Sequence, residues 1–163
     1  MLTSFDDFIN NNEHIFTVND SKLHNALVFA FVGDAVFTLF VRSFFSVNST
    51  YKAGKLHSLT SNVINAGFQS KILDEIENEF TMEEQQIMNT ARNVKTNNVA
   101  KNSNLEDYKK ATSLEAVLGY LYLTKQTARL KKILDLCLIL MEKKNEGWRK
   151  KCGLWTLKFC TKC

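Results

Sequence analysis

From Ser21 to Phe45 the chain is almost continuously apolar, SKLHNALVFAFVGDAVFTLFVRSFF, with Asp20 or Ser21 placed to cap the start of a helix. That length would suffice to cross a bilayer, but Asp34 near the middle and Arg42 beyond it would each be costly there. The pattern therefore predicts no membrane span, and instead the buried central helix of a helical domain. Tyr51 to Phe80 carries Leu56, Leu59, Val63, Ile64, Phe68, Ile72, Leu73 and Ile76 at helical spacing, with Gly67 as the expected bend. Asp74, Glu75, Glu77 and Glu79 lie on the outer face, so the acidic stretch from Asp74 to Glu84 reads as solvated and turned away from any nucleic acid. Thr81 to Glu84 matches a capping box and opens a helix to about Arg92. Asn93 to Asn104 is polar and Asn-rich, hence a loop. Ser103 or Asn104 then caps a helix that runs through AVLGYLYL to about Thr124. A last helix is expected from Thr127 to Lys143, with Leu130, Ile133, Leu134, Cys137, Leu138 and Met141 inward. No repeat and no period-two pattern stands out.

Composition agrees with this all-α reading. The 163 residues include no proline and only six glycines, too few breakers for a sandwich or barrel of short strands. With 45% hydrophobic residues, one domain of this size builds a core without disulfides. The formal charge of +4 suggests nucleic acid, but its distribution corrects that impression. Lys143 to Cys163 holds seven Lys or Arg and one acid, net +6, which leaves the rest of the chain at −2. We therefore divide the chain into a body, 1–142, and a basic aromatic extension, 143–163, that also holds Cys152, Cys160 and Cys163. The first residues carry acids where a secretory signal needs positive charge, so the expected compartment is the cytoplasm.

Two acids interrupt runs that otherwise read as buried: Asp34 in FVGDAVF and Glu115 in SLEAVLGYLYL. A carboxylate in such a place needs a partner. Gly33 and Ala35 flank the first, and Ala116 and Gly119 follow the second, so the two helices can cross closely and bring the acids together. A pair of converging acids without a matching base suits a hard divalent cation, with Mg2+ the ordinary choice. The competing reading pairs Asp34 with Arg42, or has it cap a kink, and ties Glu115 to a lysine or a backbone amide; the residues alone leave both open.

The blocks GDAVFTLFVR, LHSLTSNVINAGFQSKIL, ARNVK with AKN, and ATSLEAVLGYLYL, in this order and spacing, resemble Mini-ribonuclease III, a stand-alone ribonuclease III catalytic domain without the double-stranded RNA-binding domain. The resemblance covers about Leu23 to Leu140. It implies an all-helical ribonuclease III endonuclease-like fold, a homodimer, and Mg2+-dependent cleavage of double-stranded RNA, with maturation of large-subunit (23S) ribosomal RNA precursors as the task. Asp34 matches the aspartate of the family's GDA motif and Glu115 the glutamate of its second motif, which makes both catalytic and metal-binding. Full-length ribonuclease III has three further acids near these motifs, where this chain has Leu27, Ala30 and Thr112. That reduction leaves open the number of metal ions, and it also suits a non-catalytic RNA-binding or ribosome-associated dimer.

Arg92, Lys95, Lys101, Lys109 and Lys110, in and beside the loop between the two motifs, are the expected RNA contacts. Lys52, Lys55 and His57 are further candidates, His57 reading first as a capping or packing residue. For the extension three readings compete: an RNA clamp through Trp148, Trp155 and Phe159, a share in a zinc site, or aromatic packing on the body.

Overall fold

The computed structural model describes residues 25–94 and 104–144, and every regular element among them is helical. In chain order these are α1 (Ala26–Asn48), α2 (Ala53–Ile64), α3 (Ala66–Ile76), a 3-10 turn (Glu77–Glu79), α4 (Met82–Arg92), α5 (Leu105–Leu123) and α6 (Thr127–Lys144). Helix α6 passes the expected boundary at 142 by two residues; Lys95, Lys101 and the three extension cysteines lie outside the described residues.

Short polar side chains set most of the boundaries. Helix α1 starts later than expected because Asn25 caps it, its Oδ1 accepting from the Leu27 N–H at 3.0 Å. The same helix outlasts Phe45 and stops where Asn48 and Ser49 fold back onto the carbonyls of Phe44 and Phe45, each at 2.8 Å. The bend between α2 and α3 falls at Asn65 rather than Gly67. Asn65 Oδ1 accepts from the Phe68 N–H at 3.0 Å, while its Nδ2 donates to the carbonyl of Asn62 at 2.9 Å. One residue thus caps the start of α3 and closes the end of α2, which a glycine's backbone freedom could not do. The capping box at Thr81 and Glu84 is formed as expected, and Asn104 caps α5. After α5 the chain reverses with Lys125 in the left-handed region, φ 58°, and the Gln126 N–H reaching Leu121 O at 2.9 Å.

The central helix is α5, not α1. Helices α1, α3, α4 and α6 all pack on α5, which buries 11 of its 19 residues, among them Leu114, Val117, Leu118, Tyr120 and Leu121. Helix α1 buries one face, through Ala26, Phe29, Ala30, Gly33, Phe37, Val41 and Phe45. Its opposite side leaves Val28 at 45%, Phe31 at 82%, Leu39 at 67% and Val47 at 83% exposure. A helix apolar all round was expected to be covered all round, yet the described residues cover only one face of it. By length and hydropathy α1 also meets the measure of a membrane-crossing helix, although α5 occupies its Gly33 face and Asp34 sits on it.

The acidic stretch is likewise not simply solvated. Glu84 is 2% exposed and bound at both oxygens by Arg129 of α6, Nε to Oε1 at 2.7 Å and Nη2 to Oε2 at 2.6 Å. Burial alone would raise its carboxyl, but the hydrogen bonds from Arg129 and Thr81 outweigh that and hold it below the usual range. The pair ties α6 to the start of α4.

Candidate active site

Helices α1 and α5 cross with their backbones in direct contact at Gly33 and Gly119. A methyl group added to Gly33 would overlap the Glu115 carbonyl oxygen, and one added to Gly119 would overlap the Phe29 carbonyl oxygen. Only glycine at both positions permits this separation, because backbone atoms rather than yielding side chains fill the space. One residue from Gly33 lies Asp34, and four residues before Gly119 lies Glu115. The crossing therefore brings the two acids to one place.

Both line an open cleft of about 720 Å³ together with Gln69 of α3 and Tyr108 of α5, with Phe31 and Ile64 on its apolar side. Leu27, Ala30 and Thr112 line the same cleft, so it holds no further acid at those three positions. Asp34 is exposed and takes part in no ion pair among the described residues, so the pairing with Arg42 does not form. Glu115 is half-buried and accepts from Gln69 Nε2 at 2.9 Å, a side-chain amide rather than a lysine or a backbone N–H. Burial drives the Glu115 carboxyl up to about 7; the Gln69 bond opposes this, and the negative charge of Asp34 adds to it.

Two carboxylates in one cleft with no base paired to either among the described residues form a site that wants a cation. Among the described residues no third His, Cys, Asp or Glu joins them. A cation that takes one or two carboxylates and fills its remaining positions with water and phosphate oxygens fits this donor set. The chemistry of the pair thus suits a divalent metal without providing an all-protein cage.

The Ribonuclease III domain family matches residues 27–126, a span that contains the cleft and both acids. Over 135 residues the chain is 40% identical to the Mini-ribonuclease 3 of Clostridium tetani, covering 81% of this chain and 89% of that protein. The chain belongs to the Mini-ribonuclease III family. It is also 36% identical to the Mini-ribonuclease 3 of Staphylococcus aureus over 119 residues, covering 72% of this chain and 89% of that one. A crystal structure of a Fusobacterium nucleatum protein superposes with a TM-score of 0.67 at 31% identity, covering 77% of this chain and 98% of that one. This Mini-ribonuclease III is accordingly an endoribonuclease of the all-helical ribonuclease III fold.

The basic residues are distributed differently from the two acids. Arg92 donates to Glu77 Oε2 at 3.3 Å, and Lys110 holds Asp74 Oδ1 at 2.7 Å, so both meet carboxylates of the acidic stretch. Lys109 is half-buried and forms no ion pair among the described residues. His57 is exposed rather than packed, beside Arg42, Ser46 and Thr60 in a shallow depression between α1 and α2. Sequence reading missed Gln69. The available signal was a polar residue at an inward register position between Phe68 and Ile72.

The raised Glu115 carboxyl makes a stability prediction for the metal-free protein. Its folded value of about 7 lies above the ordinary 4.5. Its contribution is therefore fully present below about pH 4.5 and is lost as pH rises through 7, about 3 kcal/mol at most. Glu115→Gln keeps an acceptor for Gln69 and removes the charge. Urea unfolding in EDTA should show the variant more stable than wild type at pH 8, with the difference shrinking at pH 5; equal pH slopes for the two proteins would contradict the buried charge.

Proposed function

We propose that the protein is a Mg2+-dependent endoribonuclease of double-stranded RNA, acting as a homodimer on large-subunit (23S) ribosomal RNA precursors in the cytoplasm. The observation that carries the reading is the meeting of Asp34 and Glu115 in one cleft, held by the Gly33–Gly119 crossing, without a base paired to either among the described residues. Mg2+ bound by Asp34 and Glu115 would supply the positive charge that activates water and neutralises charge developing on a phosphodiester. Asp34, exposed at the cleft, presents its carboxylate to the solvent side, and Glu115 presents one from the wall. Gln69 fixes Glu115 without cancelling its charge. The ribosomal substrate rests on the family resemblance.

Support for duplex binding comes from where the acids are absent. The 39 residues between Asp34 and Asp74 contain no Asp or Glu, and they carry Arg42, Lys52, Lys55 and Lys71. Arg42, Lys52, Lys55 and His57 are exposed, so this surface, together with Lys109, can meet phosphates by charge and shape. Arg92 and Lys110 join it only by leaving Glu77 and Asp74. The dimer is supported by the exposed apolar side chains Val28, Phe31, Leu39 and Val47 on the same helix as Asp34, the kind of surface that a second copy can cover. At micromolar concentration sedimentation should give about twice the chain mass of 18.7 kDa; a monomeric mass would contradict the dimer.

The activity is tested with purified protein and labelled duplex RNA. Cleavage should require Mg2+, stop on adding EDTA, spare a single-stranded control and leave 5′ phosphate and 3′ hydroxyl ends. Duplex binding that ignores Mg2+, with no cleavage, would establish the non-catalytic scaffold instead.

A further inference from the structure

Gln69 occupies an inward position on α3 between Phe68 and Ile72, with only 1% of its surface exposed. Both N–H groups of its amide are used. One reaches the Ile64 carbonyl at the end of α2, at 3.0 Å, and the other reaches Glu115 Oε1 on α5, at 2.9 Å. Two acceptors on one side fix which end of the amide is nitrogen. The amide oxygen is then left buried with no hydrogen-bond partner among the described residues.

That orphan oxygen argues against a residue kept for packing. An apolar side chain would fill the same place, as Phe68, Ile72 and Leu73 fill theirs, and would bury no unsatisfied oxygen. What an apolar residue could not do is hold the Glu115 carboxylate. A lysine or arginine could hold it, but would cancel the charge that a cation needs. An amide does the one without the other.

We propose that Gln69 is a positioning residue for Glu115, tying the α2–α3 corner to the carboxylate so that one orientation is presented to the cation. This rests on the reading of Glu115 as a metal ligand given above. Neighbours that orient a ligating carboxylate commonly change metal affinity or activity by about 10- to 100-fold when removed.

The test uses full-length Gln69→Met and Gln69→Leu beside wild type. Mn2+, a paramagnetic probe for the cation, is titrated into RNA-free protein and followed by electron paramagnetic resonance, and melting is followed by circular dichroism. Both variants should melt within about 5 °C of wild type. Mn2+ affinity should fall by about 10- to 100-fold, duplex RNA binding in EDTA should be unchanged, and lost cleavage should return in part at raised metal concentration. A folded variant that binds Mn2+ as wild type does would end the proposal while leaving the metal reading intact. Failure of both variants to fold would assign Gln69 to the fold and end it as well. Wild-type protein that binds no Mn2+ would remove the metal reading and this inference with it.

Discussion

Gly33→Ala is expected to destabilise the protein by more than about 4 kcal/mol, beyond the usual range for an overpacked site. The added methyl lands on the Glu115 carbonyl oxygen, and the Gly119 backbone lies directly behind it. Neither obstacle is a side chain that can turn away, so α1 and α5 must separate along their most extensive contact. Gly119→Ala meets the Phe29 carbonyl and should behave alike. Against a total stability of roughly 5–15 kcal/mol, either change leaves a protein that folds poorly. Gly54→Ala is the internal control. Nothing lies within 4 Å of the added methyl there, and the residue is helical, so a gain of about 0.5–1 kcal/mol is expected. Urea unfolding of the three variants checks the opposite signs; a mild loss at Gly33, comparable with an ordinary surface change, would mean that the crossing is looser than described.

Glu115→Gln should abolish most cleavage while leaving the fold and duplex binding in place. The carboxylate and amide have nearly the same shape, and the Gln69 bond can persist, so the change removes charge and little else. A bound divalent cation contributes several kcal/mol to stabilising the developing charge, and about 1.36 kcal/mol corresponds to a tenfold change in rate. A loss of about 10³-fold or more at saturating RNA and Mg2+ follows. The same substitution is expected to stabilise the metal-free protein at pH 8, because burial and Asp34 both resist the ionisation of Glu115. Activity and stability thus move in opposite directions at one residue, as expected of a group held for function. A variant that loses activity only in proportion to lost fold would contradict this.

The acids and their meeting point could be read from the chain because each breaks an apolar run and each stands beside small residues. Glycine next to a misplaced carboxylate is a local signal, and the close approach of α1 and α5 converts it directly into geometry. The partners of the bases were not legible in the same way. Lys110 finds Asp74 across 36 residues of sequence, and Arg92 finds Glu77 across 15, from the far end of α4. Hydropathy also could not separate the two faces of α1. It registers Phe29 and Phe31 alike, although one is fully buried against α5 and the other is 82% exposed. Whether an apolar face is covered by its own chain or left for another surface depends on the neighbours that the fold supplies. Asn65 taking the bend expected at Gly67 has a similar cause, since its side chain closes two helices at once.

The most direct test of the central claim is single-turnover cleavage of duplex RNA by wild type and Asp34→Asn, at saturating protein and Mg2+, with binding measured in parallel. The account predicts metal-dependent cleavage by wild type. It predicts unchanged RNA affinity and a loss of about 10³-fold or more in the variant. Undiminished cleavage by Asp34→Asn would contradict it.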